Sequence, residues 1–328
     1  MILAIESSCD DSSVALMKID DYSLFFHKKI SQEAVHSSYG GVVPELAARL
    51  HASALPKIVE KTVPYLKDVK AVAVTNEPGL SVALIEGVMM AKALSIGLGV
   101  PLLPINHLKG HIYSLFIGHE AKLPLGVLLV SGGHTQILDV KSYDDIKILA
   151  STLDDSFGES FDKVAKMLHL GYPGGGVIEK YAKKGCDRFN FTVPMQRSKE
   201  IAFSYSGLKN QVRLAIQNLK SDITQKDMED ISASFQTAAI SHILKQCERV
   251  FKQNPFKEFA IVGGAAANQE LRKQMVFLCK KFDMRVSFAP LEFCSDNAAM
   301  IARAGIEAYK LKRFVSVNEI KINPRCGF

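Results

Sequence analysis

The sequence contains no run that reads as a membrane span. Its longest apolar stretch, residues 82–105, is interrupted by Glu86, Lys92 and several glycines, whereas a span needs about 20 largely apolar residues. No basic leader precedes the first apolar run, and Asp10-Asp11 follows it at once, so no export signal is read there. The six cysteines, at 9, 186, 247, 279, 294 and 326, include no CxxC pair. Scattered cysteines in a chain without an export signal are expected as reduced thiols in a cytoplasmic protein with no membrane role. Tryptophan is absent, and no low-complexity linker divides the chain. Neither GxGxxG nor GxxxxGK[ST] occurs, which removes the dinucleotide fingerprint and the P-loop.

What is present is a chain of 328 residues with 48% apolar and 23% charged residues and a net charge of +6. That composition belongs to globular proteins and excludes disordered and collagen-like classes. The length suggests about two domains. Residues 301–328 carry Arg303, Lys310, Lys312, Arg313, Lys321 and Arg325 against Glu307 and Glu319. This basic stretch reads either as a solvated terminus or as a phosphate-backbone contact.

Apolar runs at residues 2–5, 14–17 and 23–30 predict three strands, the first two separated by the polar turn Glu6-Ser7-Ser8-Cys9-Asp10-Asp11-Ser12. Helical spacing follows over 44–65 and 81–98, with strands at 71–74 and 100–105. The plan then repeats. Strands are expected at 126–130, 135–140 and 146–149, with Ser131-Gly132-Gly133-His134 as the small polar turn, and later at 259–262 before a helix over 269–282. Duplicated strand–turn–strand units followed by helices imply two related α/β domains with a ligand between them.

Several clusters carry chemistry. Glycines in Ser131-Gly132-Gly133-His134-Thr135 permit close backbone approach, and successive amides there make an anion nest or an ordinary hairpin turn. Gly263-Gly264-Ala265-Ala266-Ala267-Asn268 lies between a strand and a helix, where small residues admit an anion or simply allow tight packing. His107-Leu108-Lys109-Gly110-His111 puts two imidazoles on one helical face, as a pair of metal ligands requires. Leu108 stands where HExxH peptidases carry their glutamate. Asp296, in Ser295-Asp296-Asn297, is either a helix cap or the carboxylate that completes a two-histidine face. Asp162 lies in the acidic segment 154–163, which opens a helical pattern that stops at Gly171-Tyr172-Pro173-Gly174-Gly175-Gly176.

Taken in order, seven motifs resemble the TsaD/Gcp family of tRNA adenosine threonylcarbamoyltransferases. They are Ile5-Glu6-Ser7-Ser8-Cys9-Asp10, Tyr39-Gly40-Gly41-Val42-Val43-Pro44-Glu45-Leu46-Ala47, the His107–His111 segment, Val130-Ser131-Gly132-Gly133-His134-Thr135, Phe161-Asp162-Lys163 with Tyr172-Pro173-Gly174-Gly175, Phe203-Ser204-Tyr205-Ser206-Gly207-Leu208-Lys209, and Ser295-Asp296-Asn297. The resemblance implies the duplicated actin/Hsp70/sugar-kinase-like (ASKHA) fold, an α/β fold of two domains with a ligand cleft. On that expectation residues 1–106 with 300–328 form the first domain. Residues 107–299 form the second, carrying most of the metal and nucleotide site.

The resemblance also implies an activity, the transfer of a threonylcarbamoyl group from threonylcarbamoyl-AMP to the N6 amine of the adenine beside the anticodon in tRNAs reading ANN codons. It assigns one divalent metal, iron before zinc, to His107, His111 and Asp296. It places Val130, Ser131, Gly132, Gly133, His134, Asp162, Gly175 and Asn268 at the substrate, with Glu179 as a secondary contact. Departures are Asp11-Ser12 where Glu-Thr is common, Glu179 where Asp is common, and the tail Pro324-Arg325-Cys326-Gly327-Phe328. Glu6, Asp10 and Asp11 are the candidates for taking the amine proton. Implied partners are tRNA, a TsaB-like paralogue meeting residues 45–65, and a TsaE-like ATPase, with a TsaC-like enzyme upstream. The rival readings are a small-molecule kinase or ATPase of the same fold, a metallopeptidase, and a non-enzymatic nucleotide-binding partner. If tRNA is the substrate, the basic terminal stretch gains a role as a backbone contact, extended by Arg197, Lys199, Lys209 and Arg213.

Overall fold

The computed structural model describes residues 1–219 and 222–328. In chain order the strands and helices are β1 (Ile2–Glu6), β2 (Asp11–Met17), β3 (Leu24–Ser31), α1 (Glu33–His36), α2 (Pro44–Val59), β4 (Ala71–Glu77), α3 (Ser81–Leu98), β5 (Leu102–Asn106), α4 (His107–Tyr113), β6 (Leu125–Val130), β7 (Thr135–Val140), β8 (Ile146–Ser151), α5 (Phe157–Met167), α6 (Gly174–Ala182), α7 (Ser206–Gln217), α8 (Gln225–Gln253), β9 (Glu258–Val262), α9 (Gln269–Lys281), β10 (Arg285–Phe288) and α10 (Ala298–Lys310).

They form two compact units. The first comprises Met1–Leu123, Ser142–Asp145 and Pro290–Phe328, and the second Pro124–Lys141 and Ile146–Ala289. This division differs from the expected boundaries. Residues 107–123 and 290–299 belong with the first unit, because α4 packs on α10. Gly110 makes that close approach possible, since a Cβ there would lie 2.7 Å from Ile301 Cδ1. All three candidate metal ligands therefore sit in the first unit.

The sheet of the first unit runs β3-β2-β1-β4-β5, and that of the second β10-β9-β6-β7-β8. In each, three antiparallel strands are followed by two parallel additions. The two sheets thus share one plan. Their central strands β1 and β6 are buried at every position, the pattern of strands covered on both faces. The carboxyl ends of β1, β4 and β5 lie at one end of their sheet, as do those of β6 and β9, and such ends are where ligands bind in α/β sheets.

Local chemistry sets the helix bounds. Pro44 opens α2, and Gly99 at φ +65° ends α3. Helical text expected to run to residue 65 leaves the α-helical path at Val59 and tightens into a 3₁₀ segment, Glu60–Asp68. Thr224 and Asp227 form a reciprocal capping box that starts α8. Helix α3 has the length and composition of a membrane span. It packs against α2 and β4 and buries Ala83, Leu84, Gly87, Val88, Ala91 and Ser95, the seating of a helix on a sheet. All six cysteines are free thiols.

Of the basic C-terminal residues, Arg303 is committed internally, whereas Lys310, Lys312, Arg313, Lys321 and Arg325 are exposed. Arg303 is fully buried. It donates to the Phe116 and His119 carbonyls and pairs with Glu307 at 2.8 Å. Arg313 pairs with Asp144 at 2.5 Å, and Lys310 donates to the Tyr22 hydroxyl. In the second unit Lys209 pairs with Asp155 at 2.7 Å. Arg303, Arg313 and Lys209 are thus paired with carboxylates, while Lys312, Lys321 and Arg325 stay exposed at the surface.

Candidate functional site

In the first unit β5 passes into α4 without a loop. The Asn106 side chain caps the helix by accepting from the Leu108 and Lys109 amides, and it donates to the Gly327 carbonyl. His107 therefore starts the helix at the strand's carboxyl end, and His111 follows one turn later on the same face. The two rings meet edge to face with centroids 4.7 Å apart.

Asp296 arrives from the start of α10. Asn297, rather than Ser295 or Asp296, is the cap: its Oδ1 accepts from the Met300 amide, and its Nδ2 donates to the Phe293 and Ser295 carbonyls. Ser13 Oγ accepts the Ala298 amide. The Asp296 carboxylate is thus released from capping. Its Oδ1 lies 3.4 Å from His107 Nε2 and 3.2 Å from His111 Nε2.

These residues fit a metal. The three ligand atoms lie within 4.8 Å of one another. Two donors about 2.1 Å from one ion at a tetrahedral angle stand about 3.4 Å apart, close to the Asp296–histidine separations. His111 is fully buried, and apart from the Asp296 oxygen near Nε2 its ring has no partner, Nδ1 having none at all, an arrangement costly unless another partner is supplied.

Charge reinforces the grouping. Burial opposes charging of His107, but Asp296 and Glu6 outweigh it and hold the imidazole well above its ordinary range. Burial likewise opposes the carboxylates, yet His107 brings Glu6 below the usual range and Asp296 well below it. Burial pushes His111 down and the Cys9 thiol well up, so Cys9 does not present a thiolate.

The three proton-acceptor candidates separate clearly. Glu6 is fully buried and its carboxylate is saturated by Ser8, Thr75 and His107, so it is not a base that can meet a substrate. Asp10 is half-buried. Asp11 Oδ2 accepts from Lys29 at 2.8 Å, while its buried Oδ1 has no partner. Burial, against the pull of Lys29, pushes the Asp11 carboxyl up to about 6. His51 anchors this loop: its Nε2 donates to the Cys9 carbonyl and its Nδ1 accepts from Ser12.

In the second unit the remaining candidates form a closed circuit. Gly263, at φ +96°, lies so close to Val130 that a Cβ would strike the Val130 carbonyl. Asn268 caps α9 through the Leu271 amide and donates to Gln236. The neighbouring Gln269 amide donates to Glu179, which also pairs with Lys183. Along α6, Gly175 borders open space, and the Gly174 amide donates to Asp162 at 2.7 Å. Asp162 lies on α5, whose start returns to the first turn. Ser156 Oγ donates to the Gly132 carbonyl at 2.6 Å, and the Gly158 amide donates to the Ser131 carbonyl.

The turn itself differs from a simple open nest. The Gly133 and His134 amides donate to the Ser131 hydroxyl. Presenting them to an anion requires the Ser131 side chain to rotate away. Thr75 and Lys29 support these sites from outside every motif read in the sequence, whereas Ser8, Ser156, Gly158 and Gly263 lie within such motifs. Their partners are brought together only by the fold.

The family model described as tRNA N6-adenosine threonylcarbamoyltransferase (TsaD) matches residues 23–303. The chain is 61% identical to the protein of that name from a Nitratiruptor species, with all of both chains covered. It is 58% identical to the one from Campylobacter fetus subsp. fetus, covering 99% of this chain and 97% of that one. Among solved structures, full-length HypF in its phosphate- and nucleotide-bound form is similar at TM-score 0.64 and 13% identity, covering 94% of this chain and 46% of the longer HypF chain. The activator of 2-hydroxyisocaproyl-CoA dehydratase from Clostridium difficile with bound ADPNP is similar at TM-score 0.51 and 15% identity, covering 97% of each chain. These structural likenesses agree with the two-domain ASKHA-like fold. With a family match across most of its length and close relatives across all of it, the chain belongs to the TsaD family of tRNA N6-adenosine threonylcarbamoyltransferases.

Proposed function

We propose that the chain is an acyltransferase that moves a threonylcarbamoyl group from threonylcarbamoyl-AMP to the N6 amine of the adenine beside the anticodon in tRNAs reading ANN codons. The observation that carries this reading is the full-length likeness to transferases of that name, joined to a His107–His111–Asp296 cluster in which one carboxylate oxygen lies within 3.4 Å of both imidazoles. The cluster offers two histidines and one carboxylate and suits a divalent ion, iron before zinc, with positions left open. When bound there, such an ion supplies Lewis-acid polarisation of a carbonyl or phosphoryl oxygen.

The protein's own residues supply binding and positioning. Unit 1 holds the ion. The unit 2 circuit through Val130, Ser131, Gly132, Gly133, His134, Asp162, Gly175, Glu179 and Asn268 cradles the adenylate. Rotation of Ser131 would free the Gly133 and His134 amides to face an oxyanion. Asp11, whose carboxyl stands near 6, is the residue best suited to accept the amine proton near neutral pH, once its covered Oδ1 is opened to the substrate. A TsaB-like paralogue, a TsaE-like ATPase and an upstream TsaC-like enzyme complete the proposed system.

The test combines elemental analysis with a tRNA modification assay containing threonylcarbamoyl-AMP and the helper proteins. His111→Ala and Asp296→Ala are expected to lose both metal and turnover. Full modification by metal-free variants would overturn the assigned metal centre. Phosphorylation of a small molecule independent of tRNA would overturn the transferase reading.

A further inference from the structure

We propose that Glu6 is a positioning residue that fixes the tautomer and orientation of His107, so that Nε2 is the nitrogen offered to the cation. The inference rests on the reading of His107, His111 and Asp296 as a metal centre. It assigns a task to the fully buried Glu6 carboxylate beside that centre.

Three elements grip this carboxylate. Glu6 closes β1 and is fully buried. Its Oε1 accepts from the Ser8 amide at 2.6 Å. Its Oε2 accepts from the Thr75 hydroxyl on β4 at 2.5 Å and lies 3.2 Å from His107 Nδ1. The loop beyond Glu6 is pinned as well. Ser7 Oγ donates to the Ala83 carbonyl of α3, in space left by the missing side chain of Gly87. Glu6 therefore has little freedom to swing away from the ring.

An ionised carboxylate only accepts hydrogen bonds. Its contact with His107 consequently requires the proton on Nδ1. Ser8 Oγ, 3.1 Å from the same nitrogen, can share that proton as a second acceptor. In the neutral ring this leaves the lone pair on Nε2, the nitrogen 3.4 Å from Asp296. A ligating histidine held through its other nitrogen by a carboxylate is the arrangement that orients a ring and raises its basicity toward a metal. His111 has no such anchor, since its Nδ1 has no hydrogen-bond partner. The two ligands are therefore unequal: His107 is set before the ion arrives, and His111 is set by it.

The test titrates purified metal-free full-length protein with Co²⁺ and follows the visible absorption of the bound ion. Glu6→Gln keeps the volume but not the acceptor pair, and should weaken Co²⁺ binding by about 10–100-fold. His111→Ala should abolish binding. Loss with His111→Ala but unchanged affinity with Glu6→Gln would overturn the role of Glu6. Unchanged affinity in both would overturn the metal centre itself. A second measurement needs no folded Glu6 variant. In Zn²⁺-loaded wild-type protein, long-range ¹H–¹⁵N NMR of the imidazoles, with His107 assigned by His107→Gln, should show the His107 proton on Nδ1. A proton on Nε2 would overturn the proposal.

Discussion

Gly263→Ala probes whether the turn after β9 is held against β6 as tightly as the structure shows. Gly263 adopts φ 96° and ψ 166°, a region that is essentially glycine-only and costs about 1–3 kcal/mol for other residues. An added Cβ would also strike the Val130 carbonyl and lie 2.8 Å from its carbon. These are backbone atoms of a fully buried strand and have no rotamer to retreat into. Overpacking of this kind costs about 1–3 kcal/mol. Together the two effects predict a loss of about 4 kcal/mol, a large share of the roughly 5–15 kcal/mol that stabilises a native protein. Urea unfolding followed by circular dichroism measures it. Hydrogen exchange at Val130 and Val262 shows whether the strain instead opens β6 from β9 locally. A loss below about 1 kcal/mol, with exchange unchanged at both residues, would refute the close approach.

Three further outcomes are expected. Fully buried His242 accepts the Ser204 amide through Nε2, and burial lowers it to about 4. The unfolded chain, with its histidine near 6.5, then binds more protons, so stability falls as pH drops from about 6.5 to 4, by up to ~3 kcal/mol; an identical pH slope in His242→Asn would contradict this. Gly110→Ala crowds Ile301 at 2.7 Å and Met300 at 3.3 Å and pushes α4 from α10, so Co²⁺ affinity should fall about tenfold or more, because metal ligands tolerate displacements of only about 0.2 Å. Asp154 accepts from the Ser204 and Ser206 hydroxyls and the Tyr205 and Ser206 amides; Asp154→Ala should cost about 2 kcal/mol in urea unfolding, since it removes the acceptor that caps α7, and a change under about 0.5 kcal/mol would argue against that role.

The alternation of apolar runs with short polar turns made the strands other than β10 legible, because β1 and β6 are covered on both faces and read as continuous apolar text. Helix α3 was legible to the residue, with its C-terminal stop at Gly99. The long helix α8 was not. It buries Ser232, Ser234, Gln236, His242 and Gln246 alongside its apolar residues, so no clean stripe marks it. The histidine pair was visible because four-residue spacing is local. The grip on Glu6 was not, because Thr75 and His107 stand 69 and 101 residues away. In Ser295-Asp296-Asn297 all three residues can cap a helix, and only the observed bond from Met300 to Asn297 tells which one does. The domain boundary at 107 missed the packing of α4 on α10 for the same reason: residues distant in sequence decide it.

The first unit is discontinuous, and this sets an order on how the protein matures. His107 and His111 leave the ribosome about 185 residues before Asp296. At roughly 5–20 residues per second, that separation lasts on the order of 10–40 s, during which the whole second unit is synthesised. If His107, His111 and Asp296 hold a cation as proposed, the nascent chain would offer it two imidazoles without their carboxylate through that interval. Complete three-ligand loading would then be a late step, reached only when the C-terminal helix has returned to a sheet whose strands were all made within the first third of the chain.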